Sequence, residues 1–560
     1  MPSTFFGLTI GSSGLNAANV ALNTTAHNIA NTQTKGYSRQ QTQQSASEAL
    51  RVYATYGMQG SGVTVHNIVQ VRDSYYDYKY WNNNGVMGEY ESKTYYTGQI
   101  EDVFYDEMTE AGFTVYYNNF CNALDALYSD SSEVSKRNQA IQSGQTLAEY
   151  YNNIAENLEM YQEEANTQIK VTLDRINAIA ENVASLNNQI SVMELNGGYA
   201  NDLRDERNML VDELSKLVGI EVKEVTTATG SISYNIRINN QSLVYGNKYN
   251  TLKVTSKDSD EKRHETDVTG LYEISWDTDL SFNVYHEELS GVLRGYIDIR
   301  DGDNLETPIY PVDEDGNPIG KAVDYKGIPY YMKETNSFLA EYTRRFNEIH
   351  MSGEDLNDNS TEFVPFFSIK SSSGRGMNGE DIKEAIVLEK QQEAIEADPD
   401  KTFTEAETEA MKNAVTTEDM ITYISENITA GNICVNPDLV RDNSLMATAS
   451  RIDDGIETPD LIRQLNNLRQ EKLYKGGTPE EVMQSLVSVS SVDALAAKSM
   501  YNSHSSIGEA ITNQRLSVMG VDSDEEAMSL SKFQHAYELA SKVITVMNEI
   551  LNKLINETGV

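Results

Sequence analysis

A chain of 560 residues is too long for one hydrophobic core, so three or four domains are expected. Its formal net charge of −41 gives a surface that repels nucleic acid and anionic lipid, which argues against both as ligands. The two cysteines, Cys121 and Cys434, exclude a disulfide framework and a four-cysteine zinc site.

No apolar run reaches the roughly 20 residues that a bilayer span requires, so membrane insertion is not expected. Met1 to Ile10 lacks the basic region and long apolar core of a cleaved secretory signal. The chain is therefore expected to be cytoplasmic, or to leave the cell by a route without such a signal.

The first carboxylate is Glu48, a marked shift in so acidic a chain. Ahead of it, Leu8, Leu15, Leu22 and Ile29 recur every seven residues, the stripe of a helix that packs on another helix. Gly7, Gly11 and Gly14 interrupt this helix, each costing up to about 1 kcal/mol against Ala. We expect it to be disordered alone and to order on packing with neighbours. It should end near Asn31, with a turn at Gly36.

Residues 37–70 read as extended, with β-rich Arg51-Val52-Tyr53 and Val63-Thr64-Val65. A tyrosine-rich helix is predicted over 72–105, broken near Asn82 to Gly88. The clearest long helix covers 138–195. Ile176, Val183 and Ile190 hold one heptad position, and Ile179, Leu186 and Met193 the other. Gly197-Gly198 stops it. A second helix, Asn201 to Leu217, closes a helical hairpin with Gly219 as its cap.

Beyond Gly219 the period changes. Residues 231–238 alternate polar and apolar, as a half-buried strand does. Further strands are expected at 242–255, 270–285 and 321–330, then a helix at 331–351. Residues 371–430 are polar and glutamate-rich, with weak helical patterning. Helix returns over 456–520.

The last helix should open with a capping box from Ser523 to Glu526. It carries Leu530, Tyr537, Ile544 and Leu551, with Phe533, Ala540, Met547 and Leu554 interleaved. Seams at both ends of a long chain suggest that the termini pair, with the middle looped out between them. Tubular polymers are built this way.

Chemistry finds little purchase. None of the seven histidines has another at i+3 or i+4. His286-Glu287-Glu288-Leu289-Ser290 puts a serine where a zinc protease needs its second ligand. The acidic turns at Asp313 and Asp355 lack the twelve-position calcium loop, since Phe366 stands where the second needs Glu. No phosphate loop, nucleophile elbow or dinucleotide fingerprint is present. No metal, cofactor or enzymatic activity is expected.

The run Asn28-Ile29-Ala30-Asn31-Thr32-Gln33-Thr34-Lys35-Gly36-Tyr37 resembles the N-terminal signature of the bacterial flagellar axial family of rod, hook and hook-associated proteins. Ser38-Arg39-Gln40 follows, where rod and hook proteins more often continue with Phe-Lys, so the chain is similar to the hook-associated branch at the hook–filament junction. Three further segments agree: Ala200 to Arg207, Gly291 to Gly302, and Leu530 to Tyr537. Residues 371–430 match nothing in that pattern.

The resemblance implies a multidomain α+β fold, discontinuous in sequence. The terminal helices would pair as a coiled coil, around a helical-bundle rod domain and β-rich inserted outer domains. The expected divisions are 1–33 with 522–560, then 34–220 with 437–521, then 221–370, and a polar peripheral subdomain at 371–436. It further implies export through the flagellar type III channel to the extracellular flagellum.

The expected partners are other copies in a ring, hook protein, the next hook-associated protein toward the filament, and an export chaperone on the C-terminal helix. The expected assembly residues are Leu8, Leu15, Leu22, Ile29, Asn31, Gly36 and Tyr37, and across the seam Leu530, Phe533, Tyr537, Ile544, Met547, Leu551 and Leu554. The alternatives are another axial component such as a hook or rod protein, or a secreted surface protein, peptidase or adhesin, that uses the middle insertion.

Overall fold

The computed structural model describes residues 6–51, 57–106, 112–195, 197–226, 232–256, 262, 264, 266–278, 280–286, 288–304, 324–357, 359–399, 401–451 and 459–556. Helix α1 (Phe6–Ala30) leads into strands β1 (Gln40–Ala46), β2 (Leu50–Arg51), β3 (Met58–Gln59) and β4 (Val63–Gln70). These pair antiparallel, β1 with β4 and β2 with β3, as a two-tier hairpin.

Four helices follow: α2 (Ser74–Val103), α3 (Phe113–Ser129), α4 (Val134–Glu194) and α5 (Asn201–Leu217). Helix α2 is unbroken, contrary to the interruption expected at Asn82 to Gly88. Gly88 marks a close approach instead: a Cβ there would strike the carbonyl oxygen of Lys216 on α5. Helix α4 has 61 residues, about 90 Å at 1.5 Å per residue.

The insertion begins with a four-stranded sheet in sequential order: β5 (Glu221–Thr226), β6 (Ile232–Ile238), β7 (Gln241–Tyr245) and β8 (Lys248–Tyr249). Asn239 and Asn240 both take positive φ, 48° and 64°, in the two-residue turn between β6 and β7. That is the turn whose twist suits a hairpin. A separate pair joins β9 (Leu252–Ser256) to β10 (Tyr272–Trp276).

Helix α6 (Val292–Asp301) and helix α7 (Ile328–His350) come next. The strand expected at 321–330 is not formed at its end, because α7 begins at Ile328 with Pro329 in its first turn. Residues 321–323 and the acidic turn at Asp313 lie outside the described residues.

Strand β11 (Phe367–Ile369) pairs with the distant β12 (Ile433–Val435). Between them stand α8 (Gly379–Ala397), α9 (Glu405–Asn413) and α10 (Thr417–Asn427). The weak patterning of this stretch hides three capped helices. Asn378 with Asp381, Thr404 with Glu407, and Thr416 with Asp419 each form a complete capping box.

The chain then returns through α11 (Pro437–Arg441), α12 (Asp460–Asn467), α13 (Pro479–Met519) and α14 (Ser523–Asn556). A turn with Leu473 to Gly477 separates α12 from α13 within the helical stretch expected there. Helix α13 lies against α2, and α14 against α1.

Two apolar cores are strung along α4. Its first half, with Ile141, Leu147 and Leu158, joins an aromatic cluster of Phe113, Phe120, Phe346, Phe366 and Phe367. That core also takes in Ile382, Met420 and Ile424 of the three capped helices. Its second half, with Ile169, Ile176 and Val183, packs with Val211 and Leu214 of α5 and with the insertion through Ile236, Leu243 and Trp276.

Candidate functional site: where the terminal helices join the body

Helices α1 and α14 run antiparallel. Gly7 lies by Met547, Gly11 by Ile544, and Gly14 by Ala540. The buried positions of α1 are Gly11, Ala17, Ala18, Ala21, Thr24, Thr25 and Asn28, all small or polar. Gly7, Gly11 and Gly14 mark the face toward α14, and α1 also packs on β1 and β4, where Asn28 meets Gln40 and Ser13 meets Val63.

Leu8, Leu15 and Leu22 are half-buried, and Ile29 is 37% exposed. On α14, Leu551 is buried and Leu530, Phe533, Ile544 and Met547 are half-buried. Tyr537 and Leu554 are exposed, at 38% and 47%. Sequence reading missed a second stripe on α14: Leu539, Val543, Val546 and Ile550, spaced four, three and four, are all exposed.

The turn out of α1 is built around Asn28. Its Nδ2 donates to the Gln40 carbonyl at 2.9 Å, and its Oδ1 accepts from the Gln40 amide at 3.0 Å. The Tyr37 hydroxyl donates to the same Oδ1 at 2.7 Å, and His27 Nδ1 lies 3.0 Å from that hydroxyl. Burial, and then the charges of Asp202, Asp205 and Glu526, push the Tyr37 phenol well above its ordinary range, so it stays a donor.

Asn31, half-buried, closes the helix end by donating from Nδ2 to the His27 carbonyl at 3.0 Å. Gly36 has φ of 82°, and a Cβ there would fall on Met209 Sδ of α5. Both demands select glycine.

The next three residues grip two helices, Ser38 and Gln40 holding α5 and Arg39 holding α14. Ser38 donates through its amide and hydroxyl to Asp205, at 3.0 and 2.6 Å. Arg39 donates to Glu526 at 2.7 Å and Glu525 at 3.3 Å, while its amide bonds the Met519 carbonyl. Gln40 donates to Asp202 at 2.9 Å.

Glu526 therefore faces Arg39 rather than closing a capping box. The cap of α14 is Asp522, whose Oδ1 accepts from the amides of Asp524 and Glu525.

Behind this contact runs a buried ion network. Arg72 binds Asp77 at 2.6 Å and lies 3.9 Å from Asp205. Arg515 of α13 reaches Asp77 and Asp212, each at 3.0 Å. Trp81 Nε1 donates to Asp212 at 2.6 Å. Burial pushes the carboxyls of Asp205 and Asp212 up, against the pull of Ser38 and Arg72 on the first and Arg515 on the second. Three segments far apart in sequence, around 28–40, 202–212 and 515–526, thus converge at one junction. This arrangement fixes how the terminal pair leaves the body. It positions surfaces.

The turn at Asp355 holds its own backbone. Asp355 Oδ1 accepts from the amides of Asn357 and Asn359 at 2.8 Å each. Among the described residues no helix is long and apolar enough to cross a membrane.

Comparison with known proteins places the two ends and the body separately. The ends match flagellar basal body rod protein over residues 8–37 and the C-terminal part of the basal body rod FlgEFG proteins over 512–557. A chain with such ends, paired as seen here, is an axial protein of the bacterial flagellum. Residues 97–367 match the helical domain of flagellar hook-associated protein FlgK.

The chain is 26% identical to flagellar hook-associated protein 1 of Bacillus subtilis, covering 100% of this chain and 99% of that one. It is 24% identical to the protein of the same name in Escherichia coli, covering 97% and 98%. A solved structure, the flagellar hook junction protein FlgK of Burkholderia pseudomallei, aligns at a TM-score of 0.40 and 18% identity over 52% of this chain and 47% of that one.

Along its whole length the chain is similar to flagellar hook-associated protein 1. It is a structural component of the extracellular flagellum, of the hook–filament junction kind.

Proposed function

We propose that this chain sits as one subunit of a ring between hook protein and the next hook-associated protein toward the filament. It arrives by type III export, with an export chaperone held on α14, and it catalyses no reaction. The working divisions are 1–33 with 522–560 as the inner pair, 34–220 with 437–521 as the helical rod, 221–370 as the β-rich insertion, and 371–436 as a peripheral unit. Leu8, Leu15, Leu22 and Ile29 line the inner pair beside Leu530, Phe533, Tyr537, Ile544, Met547, Leu551 and Leu554, and Asn31, Gly36 and Tyr37 set the turn.

The observation that carries this reading is the exposed apolar stripe of Leu539, Val543, Val546 and Ile550 on α14. One side of α14 is taken by α1, and a second a/d stripe is left for helices of other subunits. Cells carrying Val546→Asp with Ile550→Asp test it. The expected result is exported, folded subunit in the medium, hooks without filaments, and filament protein lost to the medium. Filaments of normal number and length on such cells would overturn the assembly role of this face.

A further inference from the structure

A cavity of about 440 Å³ opens between the start of α2, the start of α5 and strands β5 and β6. Arg207, Tyr234, Asn201 and Arg204 line it. Arg207 is 3% exposed and Tyr234 is 5% exposed.

The cations around this cavity are unequally neutralised. Arg204 is held by Glu194 at 2.7 Å and Glu224 at 3.1 Å, and Arg72 by Asp77 at 2.6 Å. Among the described residues, Arg207 has no carboxylate within hydrogen-bonding distance. The nearest oxygen of Glu224 is 3.9 Å away and is shared with Arg204. Its Nη1 donates to Asn187 Oδ1 at 3.1 Å, and its guanidinium lies 3.7 Å from the centre of the Tyr234 ring.

Two donors of these lining residues, Arg207 Nε and the Tyr234 hydroxyl, are buried without a hydrogen-bond partner, as is the Asn201 Oδ1 acceptor. A buried guanidinium without an acceptor on Nε is costly, and the cost falls when an anion supplies one. The N-terminus of the 17-residue helix α5 adds to the field. Asn201 is its first residue, and Ala200 at the cap position provides no side-chain cap.

We propose that this cavity is a carboxylate seat, in which Arg207 and Tyr234 donate to an acidic group from outside the subunit. The group is a free organic acid or an Asp or Glu side chain of a second copy, since the chain carries 85 acidic residues. Occupancy would brace the junction, because Arg72, beside the seat, also contacts Ser38 at 3.4 Å.

The test uses the full-length chain with sodium glutamate as probe, in two arms. Calorimetric titration of dilute monomer reads free carboxylate binding, and sedimentation with and without excess glutamate reads self-association. Arg207→Met removes the charge, and Tyr234→Phe removes one hydroxyl while keeping the stacked ring, so it reports even if the first variant folds poorly. Saturable binding to wild type, weakened roughly tenfold or more in both variants, supports a free acid as the source. Self-association that glutamate reverses, and that both variants lose, supports a second copy. Wild type and Tyr234→Phe behaving alike in both arms would overturn the proposal.

Discussion

At the scale of single residues, two side chains show how burial overrides ordinary preference. Arg137 is fully buried, and among the described residues no carboxylate pairs with it. Its guanidinium is caged instead by the carbonyls of Ser131, Asn443 and Met446 and the hydroxyl of Thr448. Burial pushes this guanidinium down to about 10, still charged at neutral pH. Close by, His350 is fully buried with both ring nitrogens used: Nδ1 lies 3.0 Å from the Val364 carbonyl, and Nε2 accepts from the Ala447 amide. An accepting Nε2 requires a neutral ring, and burial lowers His350 from 6.5 to about 4. Well above pH 6.5 the ring is neutral in both folded and unfolded chains and contributes no slope. As pH falls from there toward 4, the unfolded chain takes up a proton that the folded chain refuses, so stability drops. By about pH 5.5 the loss is about 1.4 kcal/mol, and it levels off below the folded value. Denaturant unfolding between pH 7 and pH 5.5 measures this slope. His350→Gln should lower stability at every pH and flatten the slope. An equal slope in wild type and variant would assign it to other groups.

At the scale of elements, the α1–α14 pair rests on small side chains. Fully burying an alanine methyl contributes under roughly 1 kcal/mol, against about 2–3 for leucine, so α1, whose fully buried apolar side chains are three alanines, is thinly held on all its faces. The glycines then act at different strengths along one face. A Cβ at Gly14 meets Ala540 Cβ at 3.7 Å, an ordinary contact, whereas one at Gly11 comes within 2.9 Å of Ile544 Cγ1. Gly14→Ala should therefore stabilise α1 by up to about 1 kcal/mol through helix propensity alone. Gly11→Val should open the pair, because its branched methyls must displace both Ile544 and Val543. Amide exchange across residues 6–30 of the full chain reads both outcomes. Slower exchange in Gly11→Val than in wild type would refute the close-approach account. Legibility in the sequence followed the range of the interaction. The strand 231–238, the stop at Gly197 and the long α4 were readable, since periodicity and punctuation are local. The three capping boxes of 378–419 were equally local but were masked by the glutamate-rich composition around them. In the candidate site, Gly36 and Tyr37 stood out through their motif. The grip of Asn28 on Gln40, and of Ser38 and Gln40 on Asp205 and Asp202, did not. Those aspartates lie more than 160 positions away, and nothing in local periodicity encodes that pairing.

At the scale of the whole molecule, the terminal pair and the body are held by different forces. The body owes its stability to the two apolar cores along α4, and neither includes a residue of α1 or α14. The pair meets the body where α1 packs on strands β1 and β4, with Asn28 bonded to Gln40, and through Arg39 with Glu525 and Glu526, while Ser38 with Asp205 and Gln40 with Asp202 tie that hairpin to α5. Polar contacts of this kind contribute about 1 kcal/mol each, more where one partner is charged and buried. They set an angle without carrying the fold. A chain spanning residues 37–521 should therefore unfold in a main transition close to that of the full chain, since the buried aromatic and aliphatic clusters are untouched. It should also lose the helical signal of both terminal helices and fail to restore filaments to cells lacking the protein. Calorimetry of the two chains measures the first outcome, and filament counts on complemented cells the second. If removing the ends collapsed the main transition, the ends would be part of the cooperative core, and the junction at Asn28 and Asp205 would have to be a folding contact. If the shortened chain still restored filaments, the assembly face would lie on the body instead of on α14.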